Sequence, residues 1–220
     1  MTQEALKQEP AYAKHLHQVD GEWYMRLDKE SRGVKIPADI ARVIKGALRM
    51  EQLRKSDKNM RIRGAYSKIN CHETALFAIG ALDRDYALGN YSMPLFPDVQ
   101  YKQHEEFSDL QTHVQKHVGN ELWLVQVKAF PESKKVEHSF LAGIDERGNV
   151  VCFEKQGSRH EPLSFRVTNL VYIYGLYSEK YWAGGSIDSI KEHPLVKKIH
   201  ERKGPPDIKS SQSPESQSAA

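Results

Sequence analysis

Apolar residues recur at helical spacing in the first half of the chain and at strand spacing in much of the second. In "KIPADIARVIKGALRMEQLRK", Ile36, Ile40, Val43, Ile44, Ala47 and Leu48 form one stripe, and Pro37 suits the first helical position. A second helix is expected to open near Cys71. Its stripe is Ala75, Ala78, Ile79 and Leu82, and the pattern carries it as far as Gly89-Asn90. "YSMPLFPDVQY" is broken by proline and reads as a loop. "FSDLQTHVQKHVGN" returns to helical spacing through Phe107, Leu110, Val114 and Val118, with Gly119 placed to end it.

The period then shortens. "LWLVQVKAF" (122–130), "VEHSFLAGI" (136–144) and "VVCFEK" (150–155) predict three strands, the last two joined by the turn "DERGN". "LSFRVTNLVYIYGLY", rich in Tyr and β-branched residues, predicts one or two more. Gly184-Gly185 reads as a turn before a final helix, which Pro194 interrupts. Helices followed by an antiparallel meander give an α+β fold rather than alternating βαβ units. The expected organisation is a polar N-terminal arm over 1–35, one catalytic domain over 36–203, and a disordered Pro/Ser/Gln-rich tail over 204–220.

Charge and length narrow the function classes. The 220 residues carry a net charge of +3, built from interspersed Lys/Arg and Asp/Glu with no basic face, so a nucleic-acid partner is not expected. "RKSDKNMRIR" reads as a solvated linker. No apolar run approaches the length that spans a bilayer, so no membrane partner is expected either. The N-terminus has no apolar core of a secretory signal, which makes the cytoplasm the default and leaves export by another system open. The two cysteines, Cys71 and Cys152, are a poor disulfide framework.

In "SKINCHETALFAIGAL", Cys71 reads either as a small core residue or as a nucleophile at a helix start. The helix dipole and the unpaired N–H groups of a first turn both favour a thiolate there. Asn70 is a good N-cap with Glu73 in the first turn, and the Cys71 N–H is available to a developing oxyanion. A thiol nucleophile also needs a base and a group that orients the base. His138, at the start of "HSFLAGI", is the candidate base. A tight turn around 145–149 sets position 138 opposite 154 or 155, which offers Glu154 as the orienting acid, with Gln156 as substitute if the register slips by two. Cys152, between Val151 and Phe153, reads as structural. His72 is expected to turn away from the nucleophile around the helix.

"GAYSKINCHETA" followed by "EHSFLAGIDERGNVVCFEKQG" resembles the papain-like superfold, most closely its NlpC-type amidases and peptidases, with transglutaminase-like hydrolases fitting comparably well. The resemblance spans residues ~60 to ~175. It implies a papain-like core and a Cys71–His138–Glu154 triad acting on a peptide or protein amide without a cofactor. It also sets Tyr66 at the position of a family tyrosine that contacts substrate or oxyanion, with Asn70 beside it. The small residues that follow the family's nucleophile are His72 and Glu73 here, and its preceding glycine pair is absent. A transglutaminase-like acyltransferase and a non-enzymatic binding module on the same fold remain open. A zinc site is the rival chemistry. His113, His117 and Glu121 fall at four-residue steps, but Gly119 interrupts them and no HExxH motif is present, so no metal is expected. His15 and His17 are a weaker pair.

Overall fold

The computed structural model describes residues 11–56, 69–82, 93–118, 121–156 and 165–201. The expected helix end at Gly89-Asn90, Gly119, Tyr66 and the tail 204–220 lie outside them. Within the described residues the fold is α+β, with two antiparallel sheets and six α-helices.

The first sheet is formed by β1 (Leu16–Val19), β2 (Glu22–Met25) and β3 (Val34–Ile36). It occupies the segment expected to be a polar arm. Only Leu16, Tyr24, Met25, Val34 and Ile36 face inward, too few and too widely spaced to register as a pattern in the sequence. Asp20-Gly21 makes the two-residue turn of the β1–β2 hairpin. α1 (Ala38–Ser56) follows directly and buries Ile40, Ile44, Ala47 and Leu48 of its stripe.

α2 (Cys71–Ala78) is shorter than its periodicity predicts. Gly80 adopts φ 75°, and the N–H groups of Ala81 and Leu82 both return to the Leu76 carbonyl at 2.9 and 3.3 Å. This left-handed closure ends the helix, although Ala81 and Leu82 stay buried. α3 (Phe107–Val118) buries Leu110, Val114 and Val118, as its spacing predicts.

The second sheet has the order β4-β9-β5-β6-β7-β8, where β4 is Lys102–Gln103, β5 Trp123–Lys128, β6 His138–Ile144, β7 Val150–Lys155, β8 Phe165–Asn169 and β9 Tyr181–Ser186. Gly184-Gly185 lies within β9, paired with Val125 and Leu124, and not in a turn. A side chain on Gly185 would meet the Phe96 ring at 2.8 Å, so the absence of one permits that packing. β6 and β7 are buried along almost their whole length because both sheet faces are covered. Leu141, Val151 and Phe153 pack with α1, α2 and the first sheet. Phe140, Ala142 and Cys152 pack with α3 and with α4 (Leu170–Tyr177).

α4 occupies sequence expected to be strand. The Asn169 side chain caps it by accepting from the Tyr172 N–H at 2.9 Å, and Leu170 and Ile173 bury one face. Capping and a helical stripe outweigh the strand preference of its Val, Ile and Tyr residues. α5 (Ile187–Lys191) and α6 (Pro194–Glu201) are separated just before Pro194, which opens α6. Among the described residues no helix is long and apolar enough to cross a membrane.

The β6–β7 hairpin is anchored at its turn. Ser31 Oγ donates to Asp145 Oδ2 at 3.0 Å, and the N–H groups of Arg32 and Gly33 donate to the Glu146 carboxylate at 2.8 and 2.9 Å. Arg147 pairs with Asp28 at 2.9 Å. These bonds tie the loop before β3 to one end of the hairpin. The other end carries His138 and Glu154.

Candidate active site

Cys71 is the first residue of α2. Asn70 caps the helix reciprocally with Glu73: Asn70 Oδ1 accepts the Glu73 N–H at 2.8 Å, and Glu73 Oε2 accepts the Asn70 N–H at 2.8 Å. Asn70 therefore holds the helix start. Its N–H is engaged by Glu73 and is not free for an oxyanion. The Cys71 N–H, at the first helical position, has no carbonyl of a preceding turn to bond.

The structure brings Cys71, His138 and Glu154 together. His138 Nε2 and Glu154 Oε2 are 2.6 Å apart, and His138 lies near enough to Cys71 to lower its thiol pKa. With Nε2 held by Glu154, Nδ1 is the nitrogen left to meet the sulfur. Cys71 is 8% exposed, and His138 and Glu154 are 1% exposed. His138 faces the α3/α4 side of the sheet while α2 lies on the other. The two meet because His138 is the first residue of β6, where the sheet ends and α2 presents its N-terminus.

The register differs from the expected one. Leu141 pairs with Phe153 and Ile144 with Val150. Continued along β6, that pairing sets Phe140, not His138, opposite Glu154. His138 and Glu154 are instead diagonal neighbours on one face, a separation that a His and a Glu side chain can span. The turn spans 145–149 as expected, but Asp145 N–H bonds the Asn149 carbonyl, which centres it on Arg147 and sets position 138 opposite 156.

Electrostatics favour an ion pair. Burial alone would raise the Cys71 thiol, but hydrogen bonds from His138 and then His72 outweigh it and bring the pKa down to about 5. Burial alone would lower His138, but its bonds to Cys71 and Glu154 push it up to about 9. Burial would raise Glu154 too, yet the His138 bond and the Arg166 charge hold it below the usual carboxylate range. The sulfur also lies 3.9 Å from the Glu137 carbonyl, a long and weak contact.

Two neighbours of this cluster went unseen in the sequence, and a third, His72, was expected to face elsewhere. Arg166 Nε donates to Glu154 Oε1 at 2.5 Å, and Arg166 sits directly opposite Glu154 in the β7–β8 ladder. Finding it required the β7–β8 pairing, which no tight turn announces. Tyr177 of α4 stacks on the His138 ring, with centroids 5.0 Å apart and planes 10° from parallel. It was hidden because its segment reads as strand. His72, expected to turn away, is buried with its Nδ1 2.8 Å from Ser139 Oγ, and it contributes to lowering the Cys71 thiol pKa. Tyr66 lies outside the described residues.

Cys152 is fully buried in the α3/α4-side core, and burial pushes its thiol well above the ordinary value, an inert setting. On α3 the rings of His113 and His117 lie 4.6 Å apart. Among the described residues no group of three or more His, Cys, Asp or Glu is arranged to hold a metal ion. A cleft of about 320 Å³ lies between the first sheet and α5, lined by Ile36, Leu122 and Ile187, and does not include Cys71.

Comparison of the chain with protein-family models, with curated proteins and with solved structures finds no match.

Proposed function

We propose that this protein is a cysteine hydrolase of papain-like fold that cleaves an amide bond in a peptide or protein. The observation that carries this reading is the buried His138–Glu154 pair, 2.6 Å apart, next to Cys71 at the N-terminus of α2. The order of parts supports the fold assignment: a nucleophile opening a helix, a base opening an antiparallel strand, and an acid on the next strand.

His138 Nδ1 takes the Cys71 proton, giving a thiolate–imidazolium pair. The thiolate attacks the carbonyl carbon, forming an S–C bond and moving an electron pair onto oxygen. The Cys71 N–H, at the helix N-terminus, stabilises that oxyanion. Collapse breaks the C–N bond, and His138 gives its proton to the departing amine. Water, deprotonated by His138, then attacks the thioester and releases the acid and the Cys71 thiol. Glu154, itself held by Arg166, keeps His138 in the orientation that presents Nδ1 to the sulfur. No cofactor enters these steps.

The test is acylation of the thiol. Wild-type protein, mixed with activated esters and peptide amides, should form a mass-detectable thioester on Cys71 that turns over. Cys71→Ala should keep the wild-type circular dichroism and lose both. If acylation of Cys71 proceeds no faster than that of a free thiol, and does not depend on His138, the hydrolase reading fails and a binding module on this fold is favoured.

A further inference from the structure

The face of the second sheet that packs on α3 and α4 continues past the Cys71 cluster. Trp123, Val125 and Val127 alternate onto it along β5. Val127 pairs with His138, and Trp123 lies four residues away at the other end of the strand, roughly 13 Å distant. There a cavity of about 540 Å³ is lined by Gln100, Lys102, His113, His117, Trp123 and Gly184. Cys71, His138 and Glu154 are not among its lining residues.

The sequence builds this cavity from short-range spacing. His113 and His117 stand four residues apart on α3, so they share a helix face, and their rings lie 4.6 Å apart. The His117 ring lies 6.2 Å from that of Trp123, and the His104 ring 5.1 Å from that of His113. Gly184 of β9 leaves room beside the indole, since a Cβ there would sit 3.2 Å from Trp123 Cε3. His113, His117, Trp123 and Gly184 also border a recess of about 20 Å³ together with Trp182, which is 2% exposed. A recess of that size takes one oxygen atom and not a ring.

What these groups lack is acceptors. The indole nitrogens of Trp123 and Trp182 are buried, and among the described residues neither has a hydrogen-bond partner. The same is true of His104 Nε2. An indole nitrogen only donates, and a buried donor left unpaired is costly. Lys102 and the Gln100 amide add further donors, and none of the described lining residues is acidic. His113 is held down to about 4 by burial first, and then by the charges of His104, His117, Lys102 and Lys116. Burial lowers His104 as well, with Asp109 on α3 pulling against it and Lys102 adding to it. His113 is therefore neutral at pH 7, and Lys102 supplies the fixed charge.

We infer that this cavity binds a small organic carboxylate, whose oxygens accept from the Trp123 and Trp182 indole N–H groups and whose charge faces Lys102. One lysine among the described lining residues matches one negative charge. A metal ion would need three ring nitrogens turned on one point, an arrangement the described residues do not provide. The inference is independent of the hydrolase reading, since no residue of the Cys71 cluster enters it.

The experiment is a titration of the full nitrogen-15-labelled chain with sodium benzoate, followed through the indole N–H resonances of Trp23, Trp123 and Trp182. Those of Trp123 and Trp182 should move downfield together and saturate, while that of Trp23, on the first sheet, stays in place. Benzamide, which has the same shape without the charge, should bind about tenfold more weakly. Trp123→Phe, which keeps a ring and removes the donor, should weaken benzoate about tenfold. Lys102→Met should weaken it about threefold. Lys102 is exposed on β4, so this variant decides the matter if Trp123→Phe does not fold. A bound carboxylate favours the protonated form of His113, so affinity should rise several-fold from pH 7 to pH 5.5.

No saturable shift with benzoate, equal binding of benzamide, an affinity that is flat with pH, or one unchanged in Lys102→Met overturns the inference. So does a response of the two indole resonances to inorganic phosphate or to zinc ions but not to benzoate.

Discussion

Glu154 is shared between two cationic partners. One carboxylate oxygen lies 2.6 Å from His138 Nε2 and the other 2.5 Å from Arg166 Nε. Arg166 in turn donates to Gln156 Oε1 at 2.7 Å and lies over the Tyr172 ring at 4.0 Å. The carboxylate beside His138 is thus itself held from β8, with a partner on each oxygen.

Arg166→Met removes one partner of a buried carboxylate. Stability should fall by about 2 kcal/mol, read as the shift in urea midpoint at constant slope. The loss should shrink in a Glu154→Gln background, where no carboxylate is left unpaired. Equal losses in both backgrounds would show that Arg166 acts through packing alone.

The displaced pKa values of Cys71 and His138 define a pH window. Amide cleavage should be high and flat between about 5 and about 9, with the thiolate lost below and the imidazolium that protonates the departing amine lost above, whereas alkylation of Cys71 should show only the lower limb near 5. A single rise near the ordinary thiol pKa would contradict the ion pair.

The same shifts affect stability. His138, raised from 6.5, contributes stability that is full below 6.5 and lost as pH climbs through about 9. Cys71, lowered from 9.0, contributes stability that is full above 9.0 and lost as pH falls through about 5. Between 6.5 and 9 the two slopes cancel, because the folded and unfolded pairs each bind one proton. Between 6.5 and 5 the unfolded pair binds one more, so stability should fall with falling pH. The check is the urea stability of wild type minus that of the Cys71→Ala/His138→Gln protein. A difference that is constant from pH 7 to 5 would refute the assignment.

Asn70→Ala removes the side-chain N-cap of α2 and leaves the Glu73 N–H without the Asn70 Oδ1 acceptor. A loss of about 1 kcal/mol is expected in chemical denaturation, together with slower alkylation of Cys71 as the helix start loosens. An unchanged alkylation rate would separate the cap from the chemistry.

Gly143→Ala tests the contact between the two sheets. A Cβ at Gly143 would sit 2.3 Å from Val34 Cγ1, and the β-branched Val34 has little freedom to move. Stability should fall by about 1–3 kcal/mol. Val34→Ala in the same chain should recover part of it, and if it does not, the clash is not the cause.

Much of this molecule is legible in local pattern, because local pattern reports what each segment needs in order to be half-buried. The α1 and α3 stripes, the three strands β5 to β7, the α+β order and the Asn70 cap ahead of Cys71 all follow from spacing and from residues that act within a few positions of themselves. The cysteine at a helix start and the histidine at a strand start are visible for the same reason. The β1–β3 sheet was not visible, since short strands with few inward residues carry no period. α4 was misread because its Val, Ile and Tyr residues suit a strand, and only Asn169 and the helical spacing of Leu170 and Ile173 argue otherwise. The relations among active-site groups belong to the three-dimensional arrangement. The β6–β7 register made His138 and Glu154 diagonal neighbours, the β7–β8 pairing brought Arg166 to Glu154, and the packing of α2 on β6 set His72 against Ser139. Each is a contact between segments distant in the chain. Its geometry is set by how sheets and helices pack, information that no run of neighbouring residues contains.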